Sequence, residues 1–332
     1  LLAARRLDGA EQFFTRAYDF GFSKSTEEAM QIWDKEKILS EVVWVIRNFK
    51  PDVIITRFPE DSRAGHGHHS ASGVLAREAF IAAADPARFP EQFKYGVQPW
   101  QAKRIMWNTF NFGGANTTNE SQFKIDVGGY LPLLGRSLGE IAADGRSQHK
   151  SQGFGVPSSR GSSFEYFMPV LGDAPVKDLL DGVNTSWEKM EGASGINKSI
   201  QDIIQGYDYT NPNASVVPLV KLYQDISFLK ESTIRNHKLT ELASLIEAAS
   251  GLYFEASTAQ PYAVQGDSIK VAVQVNNRSG IHARLIRVGI DYSDSLIDRE
   301  LKANQNFLLS RTLYVPESKM INDLLLELRE KK

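Results

Sequence analysis

Apolar residues recur at helical spacing in the first fifty positions. Ile32, Leu39, Val43 and Ile46 fall on one face behind the polar run Ser25-Thr26-Glu27-Glu28. Ser25, with Glu28 three residues later, has the spacing of a capping box and predicts a helix start. Pro51 predicts that the helix stops near Lys50, because the residue before a proline avoids the helical region. Asp52-Val53-Ile54-Ile55-Thr56-Arg57 is then a β-branched run between turn signals, which predicts a buried parallel strand. Helix, short turn, buried strand, polar loop, helix is the rhythm of a Rossmann-like, doubly wound α/β sheet. Such sheets gather their sites at the carboxyl ends of strands, so chemistry is expected in the loop from Phe58 to His69.

The rest of the chain falls into further stretches. Arg104 to Phe110 predicts a strand, Asn111 to Ser121 a Gly/Asn/Thr-rich loop, and Leu131 to Gln152 a helix. Leu134, Leu138, Ile141, His149 and Gln152 share one stripe of that helix, and a Gly/Ser-rich loop follows from Gly153 to Ser163. Residues 1–185 therefore read as an α/β domain. Residues 186–250 read as a helical region with Leu219, Leu222, Ile226, Leu242, Leu245 and Ile246 as core. From 251 the period changes to two. Ile269, Val271, Val273 and Val275 alternate, Asn276 to Gly280 is a turn cluster, and Ala283 to Tyr292 and Phe307 to Val315 are strand-like. Residues 251–332 are expected to be β-sandwich-like, ending in a charged, helix-like tail from Lys319 to Lys332.

Composition narrows the chemistry. The 332 residues are 42% hydrophobic and 23% charged, enough to bury a core without crosslinks. Lys plus Arg number 38 against 40 Asp plus Glu, a formal net charge of -2, so nothing points to nucleic acid. No apolar run reaches the roughly 18 residues of a membrane span. Cysteine is absent, which excludes disulfides, thiolate metal sites and a cysteine nucleophile. Walker-type phosphate loops are missing, and a serine hydrolase is not expected.

One cluster stands out. His66, His68 and His69, half of the six histidines, lie within four residues between the expected strand and the helix start at Ser70-Ala71-Ser72-Gly73. His-x-x-His at a loop-to-helix junction brings two neutral imidazoles near one point, as zinc requires. Arg57 and Asp61 lie on the same loop, and position alone adds Arg63 and Asn108 as substrate contacts. Chance histidines on a solvated loop are the bland alternative.

Arg57 to Arg77, above all His66-Gly67-His68-His69-Ser70-Ala71-Ser72-Gly73, resembles the second signature block of the LmbE-like, PIG-L-type zinc-dependent de-N-acetylases. Leu1 to Ala10 resembles an amphipathic helix of that family. Arg146 to Gln152 resembles its late helix ending in His-x-Ser-Gln. The resemblance spans roughly residues 1 to 155, and the β-rich part is similar to extensions of larger bacterial members. It implies a Rossmann-like fold and a zinc-dependent hydrolase acting on linear amide bonds. Its substrate would be a small molecule or glycan carrying an N-acetylated amino sugar, and the products acetate and a free amine. By the same resemblance His69 is the zinc ligand and His66 the oxyanion donor. His68 has no assigned role, and His149, with Gln152, matches a motif on the pocket side that serves either substrate and catalysis or structural support. Arg57, Asp61 and Arg63 would contact substrate.

The family's first block, His-Pro-Asp-Asp-Glu, supplies its other zinc ligands and its general base. This sequence has no such run and no adjacent aspartate pair. That block precedes the helix with which this chain opens, and the chain does not begin with methionine. The expectation is therefore a chain lacking the first strand and its metal loop, with zinc weak or absent here and tight in the complete protein. A non-catalytic carbohydrate-binding or scaffold protein on a degenerate deacetylase domain is the alternative. Export to the periplasm or cell surface is expected, with a cytoplasmic enzyme as the other possibility.

Overall fold

A computed structural model describes residues 1–112, 114–153, 155–290 and 293–318. The chain divides into two compact units, residues 1–185 and 186–332.

Unit one opens with α1 (Leu2–Asp8), ended by Gly9 in the left-handed conformation. An extended, aromatic-rich segment leads to α2 (Thr26–Trp33), where the Ser25 hydroxyl accepts from Glu28 N at 3.2 Å. The expected single helix is two. Asp34 adopts positive φ, ends α2 and starts α3 (Lys35–Phe49), and Lys50 caps α3 in the same conformation. The break turns Ile32 outward, so it leaves the stripe formed by Leu39, Val43 and Ile46. After β1 (Val53–Thr56) come α4 (Gly67–Ala84) and β2 (Arg104–Thr109). The loop expected from Asn111 to Ser121 holds the short pair β3 (Asn111–Phe112) and β4 (Ala115–Asn116), with Gly113 outside the described residues. Then follow β5 (Phe123–Asp126), β6 (Tyr130–Leu131), β7 (Arg136–Ser137), α5 (Leu138–Ser147) and β8 (Phe164–Gly172).

The main sheet has the order β1-β2-β8-β5. Only β1 and β2 pair in parallel, in register Val53 with Arg104, whereas β8 runs antiparallel to both β2 and β5. The unit is α/β as expected and β1 pairs in parallel as expected, while β8 and β5 make the sheet mixed. The apolar pattern of a strand does not reveal the direction of its partner. β1 is also less buried than its sequence implies, because it ends the described sheet order and leaves Ile55 49% exposed. Helix α4 packs Ala76 and Phe80 against Ile54 and Ile105 of the sheet. Helix α3 packs Ile38, Leu39, Val43 and Ile46 against Leu75, Ala79, Ala82 and Ala83 of α4.

The helix expected from Leu131 to Gln152 is shorter. Pro132 to Gly135 turn the chain between β6 and β7, and the helix begins only after Ser137. Ser137 and Glu140 make a reciprocal capping box there, which the sequence reading missed by starting the helix seven residues early. Leu134 and Leu138 are exposed, and His149 lies beyond the helix end.

Unit two contains α6 (Ile196–Gln205), α7 (Val216–Ser227) and α8 (Thr233–Ser250) around Leu219, Leu222, Ile226 and Leu242, with Leu245 exposed. It continues with β9 (Leu252–Ser257), β10 (Ser268–Asn277), β11 (Arg284–Ile290), β12 (Ser293–Glu300) and β13 (Asn306–Tyr314). These make a three-stranded antiparallel sheet, β13-β10-β9, and a separate hairpin, β11-β12. Val273 and Val275 from the sheet and Leu285 and Val288 from the hairpin enter one apolar cluster. The alternation read at Ile269 to Val275 is the period of a strand covered on one face. Phe154, Tyr292 and the tail from Lys319 to Lys332 lie outside the described residues.

A single buried cation organises the α3–α4 layer. Arg47 is fully buried and donates to the carbonyls of Ala82, Ala83, Asp85, Arg88 and Phe89 and to the Gln92 side chain, at 2.8–3.2 Å. Three of the six, the carbonyls of Ala82, Ala83 and Asp85, are at the C-terminus of α4, where a positive charge meets the negative end of the helix dipole. Burial holds the guanidinium pKa below its ordinary value, with Glu91 and Asp85 opposing that fall. Arg47→Met should cost about 3 kcal/mol or more, because it orphans several buried carbonyls at once. Arg47→Lys should recover only part of the loss, since one ammonium cannot reach all six acceptors. The check is the urea midpoint of both variants, and an unchanged midpoint for Arg47→Met refutes the assignment.

Candidate functional site

The histidine loop is built by close backbone packing. After β1, Asp61 caps the short 3-10 turn Ser62–Ala64, and Gly65 takes a φ of 92° that a side chain would strain. His66 is the extended N-cap residue of α4, so His68 and His69 lie in its first turn. Gly67 touches the incoming segment. A Cβ there would overlap the Ser25 carbonyl, and Gly67 N donates to Ser23 O at 3.0 Å. Ser23 is itself fully buried, and its hydroxyl takes the backbone N–H of His68 at 2.7 Å. At Gly73 a Cβ would lie 2.8 Å from the Phe58 carbonyl, so the second glycine lets α4 approach the strand's end.

The three imidazoles occupy different settings. His66 and His69 lie ring to ring, 3.8 Å between centroids. Nδ1 of His69 is 2.9 Å from the Ala64 carbonyl, and its ring stacks on Phe58 at 3.6 Å, nearly parallel. A carbonyl only accepts, so Nδ1 carries the hydrogen and Nε2 offers its lone pair. Nδ1 of His66 lies 3.2 Å from the Ser23 hydroxyl. Burial lowers the His66 pKa below the ordinary histidine value. His69 and His68 add to that fall, and Asp19 works against it. The neutral ring is thus favoured. His68 points away into an aromatic sleeve, stacked on Trp33 at 5.0 Å and edge-on to Phe20 at 4.2 Å. Its Nε2 is buried without a hydrogen-bond partner.

The other expected site residues separate into two groups and an outlier. Arg57 reaches Asn108 by hydrogen bond and the Glu165 carboxylate at 3.5 Å, and Asn108 donates to Glu165 at 2.6 Å. The ends of β1, β2 and β8 make this cluster, and Glu165 was not singled out from sequence because it is distant along the chain. Glu165 also borders a groove of about 750 Å³ lined by Leu7, Leu131, Leu138, Ile141 and Val156. Asp61 and Arg63 instead pair with each other at 2.7 Å, and Arg63 lies over the Trp107 ring at 4.9 Å. That pairing holds the Asp61 pKa below the carboxylate range. His149 caps the turn Lys150–Gln152, and among the described residues no ring contact or hydrogen bond joins it to the histidine cluster.

Two chemistries can be tested on this geometry. A catalytic zinc takes three protein ligands and a water. Among the described residues no group of three histidine, aspartate or glutamate side chains converges on one point. His69 presents an anchored ring with a free nitrogen, but the residues described do not fit a complete zinc site. Although a serine hydrolase is not expected, the sequence does contain one run with the Gly-x-Ser-x-Gly pattern of its nucleophile elbow, Gly135 to Gly139. Its serine is structural. The buried Ser137 hydroxyl accepts from Glu140 N, lies 3.1 Å from the Glu140 carboxylate and 3.2 Å from the Ser159 carbonyl, and is spent on capping α5.

Gly67→Ala should therefore damage the site more than its size implies. The added methyl must displace the Ser23–Ser25 segment or the start of α4, a cost of about 2 kcal/mol or more by overpacking. It should also release the His66–Ser23 contact. Thermal unfolding and the histidine ring signals in NMR check this, and a variant with native stability and unmoved histidine signals contradicts it.

The comparison with known proteins bears on the same residues. No curated protein matches the chain. The match to a family model covers residues 1–80 and so contains the histidine loop, but stops short of Arg146 to Gln152. Over residues 1–80 the chain is similar to the PIG-L family, described as GlcNAc-PI de-N-acetylase.

Proposed function

We propose that this protein is a hydrolase that removes the N-acetyl group from an amino-sugar-containing substrate, with His66 acting on the reacting carbonyl. One observation carries the reading: His66 is held at a helix N-terminus, ring to ring with His69, with its proton affinity lowered and Nδ1 beside the Ser23 hydroxyl. When Ser23 donates to Nδ1, the hydrogen of the neutral ring is on Nε2. That hydrogen is available to an oxygen that becomes negative as water adds to the acetyl carbon. The adding water gives up a proton; collapse of the tetrahedral species then breaks the C–N bond, gives acetate and returns that proton to the departing amine. A neutral donor suits this step, because its hydrogen bond strengthens as negative charge develops on the oxygen. Arg57, Asn108 and Glu165 offer a guanidinium, an amide and a carboxylate to sugar hydroxyls. Asp61, Arg63 and His149 remain weaker candidates for substrate contact, the first two being occupied with each other.

Zinc is the cofactor the family implies, with His69 as one ligand. Because the described residues do not complete the set, this chain should hold less than one equivalent of zinc after dialysis, and His69→Ala should remove what remains. Tight stoichiometric zinc on the unmodified chain overturns the incomplete-site reading.

A second reading, a carbohydrate-binding protein without catalysis, is favoured by the same missing ligand group. Acetate release from methyl N-acetyl-β-D-glucosaminide with added zinc separates the two. Under the enzyme reading, His66→Ala lowers turnover by about 10² to 10³, the typical loss of an oxyanion donor, while KM changes little. His68→Ala should do least. Saccharide binding with no acetate from the unmodified chain establishes the binding reading instead.

A further inference from the structure

The histidines belong to a longer aromatic ladder. Phe58 stacks on His69, His69 meets His66, and His66 meets Phe22 at 5.6 Å, tilted by 47°. The inner members, Phe58, His69 and His66, are half-buried, whereas Phe22 is 74% exposed. Its neighbours on the same segment are tied down. Gly67 N and the Ser23 carbonyl bond at 3.0 Å, Trp33 donates to the Tyr18 carbonyl at 2.8 Å, and Phe20 is packed on His68. An isolated exposed phenylalanine needs no special cause. This one follows two anchored positions and lies against the very ring that faces the reacting carbonyl. The anchoring keeps its face in place at little entropic cost to a ligand.

We infer that Phe22 is a substrate-stacking residue that selects an N-acetylated pyranose over an acyclic N-acetyl amide. The inference rests on the deacetylase reading. The apolar C–H face of a pyranose packs on an aromatic ring as aromatic rings pack on one another, through area and the ring's negative face. A sugar seated on Phe22 has its substituents beside His66, the next ring of the ladder. An acyclic amide reaches His66 as well but offers no ring face to Phe22. Discrimination between the two compounds is therefore the property that Phe22 controls.

The test uses the full chain with two probes, methyl N-acetyl-β-D-glucosaminide and N-acetylethanolamine. Saturation-transfer NMR reads which protons of each probe touch the protein, and acetate release with added zinc reads turnover. In the unmodified chain the pyranose ring protons should receive strong transfer. Phe22→Ala should abolish that pattern and weaken glucosaminide binding about tenfold, the loss of one aromatic partner. N-acetylethanolamine should bind both forms alike, and Phe22→Trp should restore the pyranose pattern. Phe14→Ala, 66% exposed on the same segment, is the control for a general surface effect and should match the unmodified chain. If Phe22→Ala keeps the ring-proton transfer and the preference for the glucosaminide, the inference is overturned while acetate release still supports the deacetylase. If no acetate appears but the Phe22-dependent pattern persists, the deacetylase reading fails and the stacking role stands. If neither probe binds, both fall.

Discussion

The site depends on the contact between two backbones at Gly67. There the start of α4 meets the Ser23–Ser25 segment so closely that no side chain fits between them. The contact fixes His66 as the last extended residue before the helix and sets the Ser23 hydroxyl between His66 Nδ1 and the His68 amide. Without it the three histidines would be neighbours in sequence with no defined mutual geometry. With it, two rings face each other and the third turns into an apolar sleeve. A glycine is required because any Cβ must overlap the Ser25 carbonyl, and a rigid helix start cannot retreat without losing its first hydrogen bonds.

The scaffold behind that contact is polar at one decisive point. The α3–α4 layer buries ordinary aliphatic side chains, and at the C-terminal end of α4 the Arg47 guanidinium joins that apolar packing to bind the last carbonyls. Helix α4 is thus held at both ends by groups outside itself, a backbone contact at Gly67 and a cation at its last carbonyls. The histidines are in its first turn, so the rigidity of the helix is the rigidity of the site. Substrate-positioning groups gain from such support, because loose supporting residues cost more in catalysis than their distance from the chemistry implies.

The chemistry offered by the described residues is asymmetric. They present one imidazole of lowered proton affinity, an anchored second imidazole and a mixed cluster of Arg57, Asn108 and Glu165, but not three converging metal ligands. Aromatic rings make up for some of the missing polarity. Phe20 and Trp33 pack on His68, Phe58 on His69 and Phe22 on His66, and burial lowers the proton affinity of His66.

The amino-acid sequence by itself determined the local features. The Ser25 cap, the end of α3 before Pro51, the strand at Val53 to Thr56, the alternating face of β10 and the histidine loop all follow from short-range rules of capping, proline sterics and periodicity, and are visible in a few consecutive residues. Signals that compete over the same stretch were misread. The break at Asp34 and the turn before Ser137 interrupt otherwise helical patterns, because a left-handed residue and a capping serine outweigh a few well-spaced leucines. Only the tertiary structure decided the rest. The antiparallel direction of β8, the exposure of Ile55, the meeting of Glu165 with Arg57 and the insertion of Ser23 between two histidines join residues from 43 to more than 100 positions apart. No local propensity encodes such pairings. They are fixed by which apolar faces can be buried together and which buried polar atoms then find partners.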